Sequence, residues 1–261
     1  TLKPPLGSGA YRIKNFEAGR SISYERVKNY WAADLPVNKG QSNFDAISYE
    51  YYRDRDVATE AFKSGAFDLR AENQSKRWAT AYDFPALKEG KVKKILIPHE
   101  RPTGMQGFVF NTRKDFFSDP KVRLAINYAW DFEWTNKTLM YNAYKRTNSY
   151  FSNSELSSSG TLPEGEELKI LQKFKRQVPK QVFDEVYKAP QTDGSGNNRK
   201  NLRLALKLLR EAGWAVKDGK LVNRNGIPLK FELLIAYPSI ERLALPLKQS
   251  LKRLGIEMSI R

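Results

Sequence analysis

Residues 117–131, FSDPKVRLAINYAWD, constrain the fold of this chain more than any other stretch. Asp119 has the short acceptor side chain that closes a helix N-terminus, and Pro120 suits the first helical position, where no backbone N–H is needed. Val122, Ala125, Ile126 and Ala129 then follow at i, i+3, i+4 and i+7, so one face is apolar and has to be buried against a partner. A second helix of the same quality is expected over 199–213. There Leu202, Ala205, Leu206 and Leu209 form the apolar stripe, and Lys200, Arg203, Lys207 and Arg210 occupy another face. Gly213 stops it.

Around these helices the hydrophobic period changes to that of strands. Residues 10–26 alternate on either side of Gly19 and read as a β-hairpin, and FDAISYEYY (44–52) reads as another strand. Asp54 and Asp56 precede a short helix that Gly65 ends. Strands are predicted at FDLRAEN (67–73), KVKKILIP (91–98) and GMQGFVFNT (104–112), and a helix interrupted by Pro85 over 78–90. A short helix is expected at FEWTNKTLMY (132–141). Another is expected over 166–177, with Leu168, Leu171 and Phe174 on one side. The polar runs SNSELSSSGTLPEGEE (152–167) and TDGSGNN (192–198) read as loops. PLKFELLIA (228–236) is a strand, ERLALPLKQSLKRLG (241–255) a helix containing Pro246, and IEMSIR (256–261) a strand. No internal repeat is visible. Alternating helix and strand of this kind is an α/β pattern.

Several chemistries are excluded or weakened. With no cysteine there is no thiolate nucleophile, disulfide or Cys-zinc site. With one histidine, His99, a multi-histidine metal site is impossible and a Ser-His-Asp triad has one possible base. His99 follows a strand-like run and a proline and reads as a loop residue. Gly7-Ser8-Gly9 precedes a strand, where a phosphate cradle needs a following helix N-terminus, so it reads as a turn. Asp54/Asp56 and Glu166/Glu167 sit at helix starts, where acids suit the dipole, rather than as a hydrolase pair. The serines of 152–159 lack a G-x-S-x-G elbow. No catalytic residue, metal or cofactor is therefore expected. No run of about 18 apolar residues is present. Thr1 opens without a signal-peptide pattern, and the chain reads as an excised or processed piece.

The net charge is +16, divided as +5 over residues 1–104 and +11 over 105–261. Such a balance attracts acidic ligands or an anionic membrane surface, and it is also what a nucleic-acid-binding protein shows. No aromatic interleaves the cations of 199–213, which favours a solvated face over a nucleic-acid contact. The nucleic-acid binder stands as the alternative reading.

In order along the chain, these segments resemble the family 5 extracellular solute-binding proteins of ABC transporters, the dipeptide, oligopeptide and nickel binders. GSGAYRIKNFEAGRSISYERVKNYW (7–31) is similar to that family's GTGPY-type turn and hairpin. FVFNTRKDFFSDPKVRLAINYAWD resembles its N-T-x(3)-P-F-x-D-x-R-V-R signature. Asn111, Thr112, Phe117, Asp119, Val122, Arg123, Ala125, Ala129 and Asp131 match, and Phe116 replaces the common proline. ALKLLREAGW, GIPLKFELLI and LKQSLKRLGIEMSI follow in the family's order. The insertion after Tyr150 is similar to that of the peptide and microcin C uptake subgroup.

The resemblance implies an α/β, periplasmic-binding-protein-like class II fold of two lobes, each of mixed sheet flanked by helices. Residues 1–104 would be part of the first lobe and 105–261 most of the second, incomplete at the C-terminus. It implies a monomeric, non-catalytic component that captures peptides or peptide-like solutes in the periplasm and delivers them to an inner-membrane ABC permease. Cleft-facing positions carried over are Arg70, Glu72 and Asn73 after FDL, and Met105, Gln106, Gly107 and Val109 at the crossing between lobes. The family's acidic anchor for a peptide amino terminus falls after Arg261. The Gly-Ser-Gly turn comes well into the chain in the family, so the front of the protein is expected to precede Thr1.

Overall fold

In the computed structural model, which describes residues 3–158 and 160–261, some of the alternating segments pair into sheets and others do not. Thr1, Leu2 and Ser159, the last of the 152–159 serines, lie outside the described residues. The chain divides into two compact units, residues 1–94 and 95–261.

In the first unit, β1 (Tyr11–Glu17), β2 (Ser21–Arg26) and β3 (Ala46–Glu50) form an antiparallel sheet in the order β1-β2-β3. Tyr11 faces Arg26 and Glu17 faces Ser21, with an irregularity between Ile13 and Asn15. Helix α1 (Arg55–Lys63) begins at Asp54, whose side chain accepts from the N–H groups of Asp56 and Val57. It ends as Gly65 donates to Phe62 O and Ala66 to Ala61 O, a Schellman closure that places Gly65 at φ +81°. Two short helices follow, α2 (Ser75–Thr80) and α3 (Pro85–Lys88). The interrupted helix expected over 78–90 is thus two separate pieces, because Pro85 supplies no N–H and instead starts its own turn.

The second unit begins with α4 (Asp115–Ser118), α5 (Pro120–Ala129) and α6 (Phe132–Leu139). It continues through α7 (Gly165–Lys173), α8 (Gln181–Asp184) and α9 (Arg199–Glu211) to the hairpin β4 (Ala215–Lys217)/β5 (Lys220–Val222). β6 (Lys230–Leu233), α10 (Pro238–Arg253) and β7 (Glu257–Ile260) close it as a parallel β-α-β unit. Asp119 accepts from Lys121 N–H with Pro120 behind it, as the sequence required. Val122, Ala125, Ile126 and Ala129 pack with Leu202, Ala205 and Leu209 of α9, and with Leu247, Leu251, Ile256 and Met258, in one continuous core. Gly213 and Gly255 end α9 and α10 in the same Schellman manner as Gly65. At Gly255 a Cβ would lie 2.7 Å from Leu221 N, so the end of α10 closes directly onto β5.

Three expected strands are absent. Residues 67–73, 91–98 and 104–112 have no ladder. A strand exists only when a second strand satisfies its N–H and C=O groups, and none among the described residues does so here. The β4/β5 hairpin went unread, although Asp218-Gly219 at φ +49° and +75° is the strongest short hairpin signal.

Candidate functional site

The two groups of candidate residues lie in different units and are built differently. In the first unit, Arg70 and Glu72 are largely buried, with side chains 13% and 4% exposed. Their charges are taken up by neighbours. Tyr82 Oη donates to Glu72 Oε2 at 3.0 Å and accepts from Arg70 Nε at 3.0 Å. Arg70 Nη2 lies 3.5 Å from Glu72 Oε2, and Arg77 Nη1 lies 3.8 Å from Glu72 Oε1. Arg77 also binds Asp56 Oδ1 at 2.7 Å, and Gln74 N–H donates to Glu72 at 2.9 Å. Burial pushes the Tyr82 phenol up, and its bond to Glu72 adds to the effect. At Arg77 burial works downward, but the Asp56 hydrogen bond and the Glu72 charge outweigh it and raise the guanidinium. Lys94 binds the Trp78 carbonyl and lies 4.4 Å from the centre of that ring.

The network locks the 70–74 loop onto α1 and α2. Of the three candidates here, only Asn73 is exposed with no hydrogen bond among the described residues. Sequence reading missed Arg77, Trp78 and Tyr82. The available signal was the i, i+4 spacing of Trp78 and Tyr82, the second of which lies just beyond the end of α2.

In the second unit, residues 104–110 belong to neither helix nor strand. Phe108 meets Trp130 edge-on at 5.6 Å and Phe110 meets Phe117 at 5.0 Å, so these two rings face the core. Val109, 94% exposed, and Met105 face outward, and Gln106 and Gly107 are exposed too. A Cβ at Gly107 would meet nothing within 4 Å. No backbone hydrogen bond reaches 104–110 among the described residues, whereas the entry is pinned by Thr103 N–H to Ser152 O at 2.9 Å. The result is a row of unpaired backbone donors and acceptors anchored at one end by two half-buried phenylalanines.

Two clefts lie away from these groups. One of about 400 Å³ in the first unit is lined by Arg26, Lys28, Tyr30, Asn38 and Gln41. One of about 640 Å³ in the second is lined by Asp115, Phe116, Trp214, Arg224 and Lys230. His99 is exposed and accepts the Arg101 N–H at 3.2 Å, which makes it part of its own loop. Among the described residues no three acidic or histidine side chains gather as a metal site. No helix among them is long and apolar enough to cross a membrane.

Comparison with known proteins matches the whole chain. The family model for bacterial extracellular solute-binding proteins, family 5 Middle, covers residues 1–261. A probable peptide-binding protein of Agrobacterium fabrum, YejA, is 48% identical over 100% of this chain and 43% of its own length. A peptidoglycan-binding protein of the same organism, YepA, is 40% identical over 100% of this chain and 43% of its own. The oligopeptide-binding protein AppA of Bacillus subtilis, solved with a nonapeptide, superposes with a TM-score of 0.60 at 20% identity, over 100% of this chain and 43% of that one. This last likeness is one of fold. The chain therefore spans less than half the length of the relatives it matches.

Proposed function

This chain belongs to family 5 of the bacterial extracellular solute-binding proteins, and from that premise we propose that it is the central part of the substrate-capturing component of a bacterial ABC importer. The observation that carries the reading is the match of the family over the full chain, with a relative of 48% identity named a probable peptide-binding protein. The solute is a peptide or a peptide-like compound. The nonapeptide held by AppA and the name of the peptidoglycan-binding relative, whose polymer carries peptide stems, both support that class. The protein binds and does not catalyse. It works as a monomer in the periplasm and hands its solute to the inner-membrane permease. Nothing in the comparisons favours the nucleic-acid alternative.

In this reading residues 1–104 contribute to one lobe and 105–261 to the other, with the crossing segment facing the solute. An extended peptide is held largely through main-chain hydrogen bonds, in the manner of an added strand, with pockets for alternate side chains. The free backbone of 104–110 offers such a row, with Met105, Gln106, Gly107 and Val109 outermost. Arg70 and Glu72 act by holding their loop in shape, and Asn73 is the group there with donors and acceptors to spare.

The test is mass spectrometry of solute co-purified with the full-length protein, followed by calorimetric titration of what is found. Peptides or muropeptides are expected. A sugar or a metal chelate in their place would overturn the solute class. Gly107→Pro, which removes one N–H from the row, is expected to weaken peptide binding at least tenfold, since a buried acceptor on the peptide loses its donor.

A further inference from the structure

Five cations of α9 stand without a counter-charge. Arg199, Lys200, Arg203, Lys207 and Arg210 are all exposed, and none makes an ion pair or side-chain hydrogen bond among the described residues. At 3.6 residues per turn they fall within an arc of about 100°, along about 16 Å of helix. The buried face, Asn201, Leu202, Ala205 and Leu209, lies on the opposite side. The cations therefore point straight out from the second unit, the half of the chain with the larger positive balance.

This arrangement works against the helix. Arg199/Arg203 and Arg203/Lys207 are like charges at i, i+4, and Lys200/Arg203 and Lys207/Arg210 are like charges at i, i+3, all of them destabilising. Arg199 and Lys200 also occupy the first turn, where the helix dipole disfavours positive charge and where no acidic residue balances them. A solvated face shaped for stability intersperses glutamates. Here the one nearby acid, Glu211, is engaged by Lys121 at 3.2 Å.

We infer that the outward face of α9 is an electrostatic docking strip for the phosphate headgroups of an anionic lipid membrane. The chemistry of the strip selects this partner over an acidic protein. Protein interfaces form around a desolvated aromatic or apolar centre. The exposed arc of α9 has none, only Leu204, 39% exposed, at its edge. Long, flexible cations spread along a line match a fluid plane of phosphates instead. The apolar face of α9 is spent in the core, so the contact is electrostatic and does not insert. The inference goes beyond solute capture and is read out without any solute. It would keep the loaded protein close to the bilayer in which a permease sits.

The experiment is cosedimentation of the full-length protein with vesicles of phosphatidylglycerol and phosphatidylcholine, against vesicles of phosphatidylcholine alone. Binding to the anionic vesicles only is expected. It should vanish near 1 M salt, where the screening length falls to about 3 Å. Each cation near such a surface contributes about fivefold in partitioning, so neutralising three costs about a hundredfold, and the triple variant Lys200→Glu, Arg203→Glu, Lys207→Glu, which also adds three negative charges, should bind far weaker than that. The milder Lys200→Gln, Arg203→Gln, Lys207→Gln variant should fall between the two and guards against a folding defect. A control triple with the same change in net charge, Lys173→Glu, Lys175→Glu, Arg176→Glu, should keep most of the binding. No wild-type binding to anionic vesicles, an equal loss in the control triple, or binding only to neutral vesicles carrying the permease would each overturn the inference.

Discussion

The two units solve the problem of burial in opposite ways. The second encloses a continuous hydrocarbon core in which Val122, Ala125, Ala129, Leu209, Leu251 and Leu254 are at most 1% exposed. The first encloses few such side chains, chiefly Ala32, Phe62 and Phe84. Its order around the candidate loop comes from the Arg70–Glu72–Tyr82–Arg77–Asp56 network and from packed rings such as Phe62 with Phe67 at 5.5 Å. Hydrocarbon burial is non-directional and nearly independent of pH. A buried charge network is directional, and it fails as a unit when one member is removed. The difference teaches that the two candidate groups should respond to different perturbations.

Removal of Glu72 breaks this comparison most severely. Glu72→Ala leaves two largely buried guanidinium groups facing each other, and the first unit should lose about 3–5 kcal/mol. Hydrogen exchange on the intact protein should show faster opening across residues 55–82 and unchanged protection in α5 and α9. Leu209→Ala is the converse. It empties the centre of the second core and should cost about 2–5 kcal/mol there, with the first unit unaffected by the same measurement. Coupled loss in both units from either change would mean that the separation is false.

Gly255→Ala sharpens the picture of the second unit. Its φ of +79° and the 2.7 Å approach to Leu221 N make any side chain a strain on both α10 and β5. A loss of about 2–3 kcal/mol is expected in denaturant unfolding. The pH response follows from Tyr82. Its folded value is raised above the ordinary 10.0, so its stabilising contribution is complete below pH 10 and disappears as pH rises through the folded value. Alkaline titration followed by phenolate absorbance should show a late-ionising tyrosine that Tyr82→Phe removes, while Leu209→Ala leaves it in place. The smallest effect is at Asp54. Asp54→Ala deletes the cap on Asp56 and Val57 N–H and should fray the first turn of α1, seen as faster hydrogen exchange there.

Legibility in the sequence followed how local each feature was. The start of α5 was readable because Asp119 and Pro120 act within one turn, and α9 because its stripe repeats over three turns. The hairpin of β1 and β2 was readable from alternation around Gly19. The segments 67–73, 91–98 and 104–112 carry the same alternation without a ladder. A period of two states which side chains share a face, and it is silent on whether another strand lies beside it. Motif order alone does not distinguish Arg70 and Glu72, bound up in a network, from Gln106 and Gly107, open to solvent.

By itself the sequence determined the α/β pattern, the caps and stripes of the two principal helices, the absence of cysteine chemistry and the family to which the order of motifs points. These rest on interactions within a few residues, or on a linear signature. Only the tertiary structure decided that Tyr82 and Arg77 close around Glu72, that Phe108 and Phe110 turn inward so that Val109 turns out, and that Gly255 must be bare because β5 passes against it. Each of these depends on contacts between residues distant in the chain or on the packing of one face, and no local preference encodes them.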